Sequence, residues 1–264
     1  MRNRWRVVGF AATAGLCAAS ALGHAQPLET ETARLLSKGT YEVGTAFEFQ
    51  TSAEGTERAV PLALEYAVTD RLSTLVEPVA YTAIRPKRGA RATGLGDLEA
   101  TGFYLLRGET RRVPALAVAL EVKLPTTKDN LIGTGRTDFS SYVIASKRVG
   151  RLDAHANLGY TIPGQPPGAR LNNTFNGALA GECHLSQRVE VFGEVLGSSA
   201  SVPEGGGDNP VNQNVVVPEA AGGELVGTLG VGVSPLPHLL FSVGLSYDNS
   251  NAFLLRPGLT YRLQ

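Results

Sequence analysis

The feature that most limits how this chain can fold is a two-residue alternation of apolar and polar side chains, repeated from about residue 40 to the end. Successive side chains of a strand point to opposite faces, so alternation marks a strand with one apolar and one polar face. The clearest case sets Leu116, Val118, Leu120, Val122 and Leu124 against Ala117, Ala119, Glu121 and Lys123. Tyr41, Val43, Phe47 and Phe49 alternate in the same way with Glu42, Ala46 and Glu48, and Leu62, Leu64, Tyr66 and Val68 with Ala63, Glu65 and Ala67. The rhythm returns at 98–106, 154–162, 175–185, 189–195, 225–233, 241–247 and 253–263. Residues 72–82 form a strand whose facing is obscured by Glu77 and Pro78, and Tyr142 and Ile144 mark another between Ser140 and Arg148. About twelve strands result, each near the ~10 residues that cross an outer membrane when tilted.

The connections carry a second signal. Every other one is short: 69–71, 107–112, 149–151, 186–187 and 234–238. Those between are mostly long and rich in Gly, Pro, Asn and Asp, at 51–60, 83–94, 125–138, 163–173 and 198–222; only 248–251 is short. Short periplasmic turns alternating with long external loops are the asymmetry of an outer-membrane barrel. Aromatic residues near strand ends, among them Tyr41, Tyr66, Tyr81, Tyr104, Tyr160, Phe175, Tyr247, Phe253 and Tyr261, suit the two interfacial girdles. The fold class read from this is all-β, a closed antiparallel up-and-down transmembrane barrel. Its apolar faces point to lipid and its polar faces to the lumen.

The first residues agree. Arg2, Arg4 and Arg6 precede an apolar run from Val7 to Leu22, and Gly23-His24-Ala25 offers small residues for cleavage after Ala25. Residues 1–25 read as a secretory signal peptide, residues 26–39 as an N-terminal periplasmic segment with a small plug as the alternative, and 40–264 as the barrel. Cys17 suggests a lipoprotein box, but Leu16 stands where a small residue is needed. Of 24 basic and 24 acidic residues, the leader removes three arginines, leaving 21 against 24. A mildly acidic mature chain argues against nucleic-acid binding. Cys183 alone remains after cleavage, so no intrachain disulfide forms. The expected location is the outer membrane of a Gram-negative bacterium.

A closed barrel must pair its last strand with its first, which explains why the chain ends on strand-like Leu255 to Gln264. Arg256, Gly258, Tyr261 and Leu263 follow the spacing polar, Gly, aromatic, hydrophobic of a C-terminal signal for the barrel-assembly machinery, although Gln264 replaces the usual terminal aromatic residue. Closure also brings Arg256 and Arg262 beside Glu42 and Glu48, where cross-strand ion pairs are expected.

Two stretches carry a family resemblance. They are Gly94-Leu95-Gly96-Asp97-Leu98, and Pro114-Ala115-Leu116-Ala117 through Lys123-Leu124-Pro125-Thr126 followed by Gly133-Thr134-Gly135 and Asp138. Together they resemble the outer-membrane proteins of the meta-pathway of phenol degradation family, often labelled transporter. A weaker likeness runs from Gly39-Thr40-Tyr41 through 62–72 to the C-terminus. The resemblance implies a barrel of this size that takes up hydrophobic or aromatic compounds, and it supplies no catalytic residues.

Other candidates are weaker. Gly94-x-Gly96 lacks the third glycine and the helix of a dinucleotide fingerprint, and Gly205-Gly206-Gly207-Asp208-Asn209 lacks calcium-loop spacing. His155 and Asn157, with Ser140, Ser141 or Ser146 on the neighbouring strand, suggest a membrane phospholipase, but the alternation turns His155 inward. The lumen-lining candidates are Glu42, Glu48, Glu65, Glu121, Lys123, His155, Glu182, Glu194, Arg256 and Arg262. The acidic members outnumber the basic ones, which favours cations or neutral solutes over anions. The sequence is thus read as a non-enzymatic outer-membrane channel or uptake protein for small, hydrophobic or aromatic molecules, without cofactor or metal. Its expected partners are outer-membrane lipid, the barrel-assembly machinery and a small-molecule solute. A filled structural or ligand-binding barrel and an outer-membrane lipid hydrolase are the alternatives.

Overall fold

A strand in lipid must find hydrogen-bond partners for its backbone on both edges, and the strand order here provides them. The computed structural model describes residues 28–167, 170–201 and 223–263. The stretch expected to be a signal peptide, with Cys17, the glycine-rich 205–209 stretch, most of the 198–222 loop and Gln264 lie outside these residues. The chain forms β1 (Tyr41–Ala46), β2 (Glu48–Thr51), β3 (Gly55–Thr69), β4 (Leu72–Pro86), β5 (Ala92–Gly94), β6 (Leu98–Arg107) and β7 (Ala115–Leu124). It continues with β8 (Asp138–Val149), β9 (Leu152–Ile162), β10 (Thr174–His184), β11 (Val189–Ser198), β12 (Glu224–Leu236), β13 (Leu239–Asp248) and β14 (Phe253–Leu263).

The fourteen pieces make twelve wall positions. β1 and β2 both lie between β14 and β3, broken only at Phe47, whose N–H still donates to Pro257 O at 2.9 Å. β5 and β6 both pair with β4. Every pairing is antiparallel, and β1 closes the sheet on β14 from Tyr41 opposite Leu263 to Ala46 opposite Gly258. The protein is a closed up-and-down antiparallel barrel of twelve strands, and among the described residues each of the twelve wall positions has a neighbour on both sides.

The faces are inverted relative to a soluble barrel. Leu120, Leu158 and Leu229 are each more than 70% exposed, while Glu42 and Asp153 are 4% and 0% exposed. An apolar belt of that extent on a soluble surface would aggregate; around a barrel it is the lipid face. Tyr41 stacks on Tyr66 with ring centroids 4.4 Å apart near the short turns, and Tyr160 packs on Phe175 at 5.0 Å near the long loops.

Three sequence expectations change. Residues 51–60 and 83–94 do not form long loops: the β2–β3 connection is only 52–54, with β3 starting at Gly55, and β4 runs on to Pro86 with β5 at Ala92–Gly94. Glu57 and Ala59 line the lumen, so the inward face of β3 extends through this stretch, carried by a charged and a small residue. The facing of 72–82 is explained by a bulge. Pro61 pairs with Val79 but Val60 with Tyr81, so Ala80 is an extra residue and the inward set moves from Ser73, Leu75 and Glu77 to Thr82. Finally, some apolar residues point inward: Leu75, Phe103 and Ile144 form a buried cluster with Ala33, Ala63, Ala115, Ala117 and Ala119, with Leu35 and Tyr142 against it.

That cluster exists because residues 28–36 lie inside the barrel, the plug alternative to a periplasmic segment. Lys38 N donates to Asp70 Oδ1 at the periplasmic turn, and the segment rises from there, burying Leu36, Ala33 and Thr30. An arginine at Leu120, a lipid-facing position in the middle of β7, should destabilise the refolded barrel by about 2–4 kcal/mol. Reversible denaturation in lipid vesicles checks this, with the lumen-facing Thr101→Ser as the mild comparison.

Candidate functional site

The lumen holds a cavity of about 870 Å³, in the size range of small-molecule sites. Its floor is the N-terminal segment, Leu28 to Glu31, and its roof includes Ile132, Gly133 and Thr134 of the β7–β8 loop. Among the described residues, the carboxylates of Glu29, Glu31, Glu42, Glu48, Glu57, Glu65, Glu77, Asp97, Glu99, Glu121 and Glu224 line it, against two cations, Lys123 and Arg256. Leu75, Val79, Phe103, Ile132, Leu196 and Leu254 supply apolar surface. Tyr142 leans across the lumen because Gly159, on the next strand, leaves room: a Cβ there would lie 2.6 Å from the phenol ring.

Nine of the ten lumen candidates divide between this cavity and the surroundings of the segment, and the tenth, Arg262, pairs with Glu42 at the closing seam. Glu42, Glu48, Glu65, Glu121, Lys123 and Arg256 line the cavity. Both ion pairs expected from closure are present: Arg262 Nη2 lies 2.8 Å from Glu42 Oε2, and Arg256 Nη2 lies 2.8 Å from Glu48 Oε1. Arg256 also pairs with Glu29 of the segment. His155, Glu182 and Glu194 are 3%, 8% and 4% exposed, around the segment rather than along the cavity lining.

The seat explains why the polar faces of β8, β9 and β11 carry Ser, His, Asn and Glu. Glu194 Oε2 accepts from Thr30 N at 2.6 Å. Ser146 Oγ accepts from Ala33 N at 2.8 Å and lies 2.8 Å from His155 Nδ1. Asn157, with its amide turned to satisfy both groups, donates to Glu31 O at 3.0 Å and accepts from Glu31 N at 2.6 Å. These side chains replace the strand neighbours that the segment's backbone lacks. The Ser146–His155 pair is therefore a buried bracket under the segment, turned away from lipid.

Below the seat, an ion-pair network closes the periplasmic end. Asp153 is fully buried, receives two hydrogen bonds from Arg148 Nε at 2.9 and 2.8 Å, and faces Arg34 Nη2 at 2.8 Å and His184 Nε2 at 3.1 Å. His184 Nδ1 faces Glu190 Oε2 at 3.2 Å. Asp153, Glu182 and His184 place their ligand atoms within 4.8 Å of one another. Two guanidiniums already neutralise Asp153, so this group is an ion-pair node rather than a metal centre. Glu109, in the β6–β7 turn, accepts from Lys147 Nζ at 2.8 Å, Arg148 N at 2.9 Å and Arg34 Nε at 2.9 Å. Burial alone would raise its carboxyl pKa, but these three donors outweigh burial and hold it at about 2.

Sequence reasoning missed several of these residues. Glu99 lay on a named polar face and was readable from alternation. Glu77 was hidden by Pro78 and the Ala80 bulge. Arg34 and Glu109 sit outside any strand, where no periodicity points to them. Asp97 and Asp138 stood in the family motifs, but their shared partner Lys123 emerges only from the fold: its Nζ is 2.5 Å from Asp138 Oδ2 and 3.9 Å from Asp97 Oδ2.

Twelve closed strands, lipid-facing leucines and a polar lumen define an outer-membrane channel-like barrel. Residues 40–213 match the family described as "Putative MetA-pathway of phenol degradation", and the chain belongs to that family. Among solved structures it resembles the COG4313 outer membrane channel from Pseudomonas putida F1, with TM-score 0.67 and 12% identity over 88% of this chain and 98% of that one. It also resembles the KdgM porin in complex with disordered oligogalacturonate, with TM-score 0.56 and 8% identity over 84% of this chain and 99% of that one. No curated protein matches it in sequence.

Glu109 gives a pH prediction. Its folded pKa lies below the ordinary ~4.3 of an unfolded Glu, so its contribution to stability is full above ~4.3 and fades as pH falls towards 2. Glu109→Gln should therefore lower the denaturation midpoint at pH 7, and the gap to wild type should shrink at pH 3. Denaturant titrations at the two pH values measure that gap.

Proposed function

We propose that this barrel is a passive channel of the outer membrane for the uptake of small molecules, with hydrophobic or aromatic compounds as the substrate class. The observation that carries the reading is the cavity between the N-terminal segment and the β7–β8 loop. Its apolar residues outside the packed cluster, Val79, Ile132, Leu196 and Leu254, offer contact to a carbon skeleton. Its carboxylates disfavour anions, so a polyanion such as the oligogalacturonate of the KdgM complex does not suit this lumen. The family description and the channel similarity support uptake. Nothing in this reading requires a cofactor.

Assembly belongs to the same proposal. Tyr261 and Leu263 are 39% and 45% exposed on the outer face of the closing strand, and Gly258 sits opposite Ala46 at the seam. They are available as a C-terminal signal for the barrel-assembly machinery, and lipid covers the outer belt.

A filled barrel is the second reading, favoured by the burial of residues 28–36 in the lumen. The hydrolase alternative is weaker, because Ser146 and His155 are 1% and 3% exposed beneath the segment.

Refolded mature protein in a planar bilayer separates the readings. A channel shows discrete conductance steps, and a salt gradient gives a reversal potential of cation-selective sign. A folded barrel that stays silent supports the filled reading, and clear anion selectivity contradicts the acidic-lumen argument. The hydrolase reading requires fatty-acid release that His155→Ala abolishes.

A further inference from the structure

Most of the family-motif residues meet at one place, the extracellular mouth. Lys123, the last inward cation of β7, bridges Asp138 at the start of β8 and Asp97 in the β5–β6 connection, at 2.5 and 3.9 Å. Both carboxylates hold loops as well. Asp97 Oδ1 accepts from Thr127 N at 3.1 Å, and beside it Thr126 Oγ1 donates to Gly96 O at 3.0 Å. Asp138 Oδ1 accepts from Gly164 N at 2.8 Å, which ties in the β9–β10 loop. Three external loops thus converge on one lysine.

The 125–137 loop between β7 and β8 is a formed body. Asp129 Oδ1 accepts from Leu131 N at 2.9 Å, and Asp129 O accepts from Ile132 N at 3.0 Å and Gly133 N at 3.1 Å. This turn carries Ile132, Gly133 and Thr134 into the cavity wall. Gly133 lies flush on the Asp97 carboxylate: a Cβ there would sit 2.6 Å from Asp97 Oδ2 and closer still to Thr127 Cγ2. A side chain here would have to displace Thr127 or the Asp97 carboxylate, so glycine lets the loop settle this far inward.

We infer that Asp97, Lys123 and Asp138 form a latch that holds the β7–β8 loop down into the mouth, so that Asp97 sets the width of the entrance through the position of Ile132. The inference rests on the channel reading for its consequence but not for its geometry. Lys123 and Asp138 side chains are each 18% exposed and Asp97 is 11% exposed. Their attraction is screened less than that of a surface pair, so it can hold a loop. Loss of Asp97 leaves Lys123 paired with Asp138 but removes the acceptor of Thr127 N and the weaker pull on Lys123, so the loop loses this tie to the β5–β6 connection and moves outward into water.

Ile132→Cys in a Cys183→Ser background reports the loop position through its labelling rate with a membrane-impermeant maleimide. Asp97→Ala and Gly133→Ala should each raise that rate at least about tenfold, as expected for a shift in a local opening equilibrium. Gly133→Ala changes no charge, so an altered lumen potential cannot account for its effect. Lys128→Met, on an exposed part of the same loop, should leave the rate unchanged. Should Asp97→Ala fail to refold, as judged by heat-modifiable mobility in SDS, Asp97→Asn carries the same test. In the planar bilayer the latch variants should conduct more than the parent protein. Unchanged labelling in folded Asp97 and Gly133 variants overturns the latch. Faster labelling with no conductance in any variant upholds the latch and refutes the channel reading.

Discussion

Lipid offers no hydrogen bonds, and this constraint decides the rest of the molecule. Strands can cross only if every edge is paired, so the sheet closes, Tyr41 against Leu263. Closure commits one face of each strand to lipid and the other to the lumen. Leu120, Leu158 and Leu229 satisfy the first demand. The second leaves a narrow interior crowded with Glu, Asp, Ser and His, whose polar groups must find partners. The chain meets that need with its own N-terminal segment, which supplies N–H donors to Glu194 and Ser146 and a guanidinium to Asp153 and Glu109.

The lumen is therefore built in two storeys with different chemistry. The periplasmic storey is packed: Phe103, Ile144 and small alanines receive Ala33, while the Asp153 node neutralises the charges around it. A single buried carboxylate with two guanidiniums is worth keeping only if all its partners stay in place, so this end is the rigid one. The upper storey is open and predominantly acidic, bounded by the segment below and by the loop held on Lys123 above. Floor and roof are held by different ion pairs, so each can be altered without breaking the barrel wall.

Much of the wall was legible in the sequence, because a half-buried strand in lipid enforces alternation without relief. The clean run from Leu116 to Leu124 became β7, and the Glu42 and Glu48 partners of Arg262 and Arg256 followed from closure alone. Legibility failed where that pressure lifts. Residues 51–60 carry too few apolar side chains to show their alternation, and the Ala80 bulge shifts the facing of β4 midway along the strand. The apolar inward residues Phe103 and Ile144 make sense only once the N-terminal segment is inside, and nothing in the periodicity of 28–36 says that it is. Asp97, Lys123 and Asp138 stood in recognisable motifs, but their association is a property of the folded mouth, not of their spacing.

Residues 28–36 are a seated part of the lumen, held through backbone hydrogen bonds to inward side chains, and the organisation of the interior depends on that seating. Amide hydrogen exchange of the refolded barrel in lipid nanodiscs tests it directly at Thr30 and Ala33, whose N–H groups donate to Glu194 and Ser146. A seated segment exchanges as slowly as the flanking strands. Exchange at the rate of an unprotected chain, with the strand amides still protected, would contradict it.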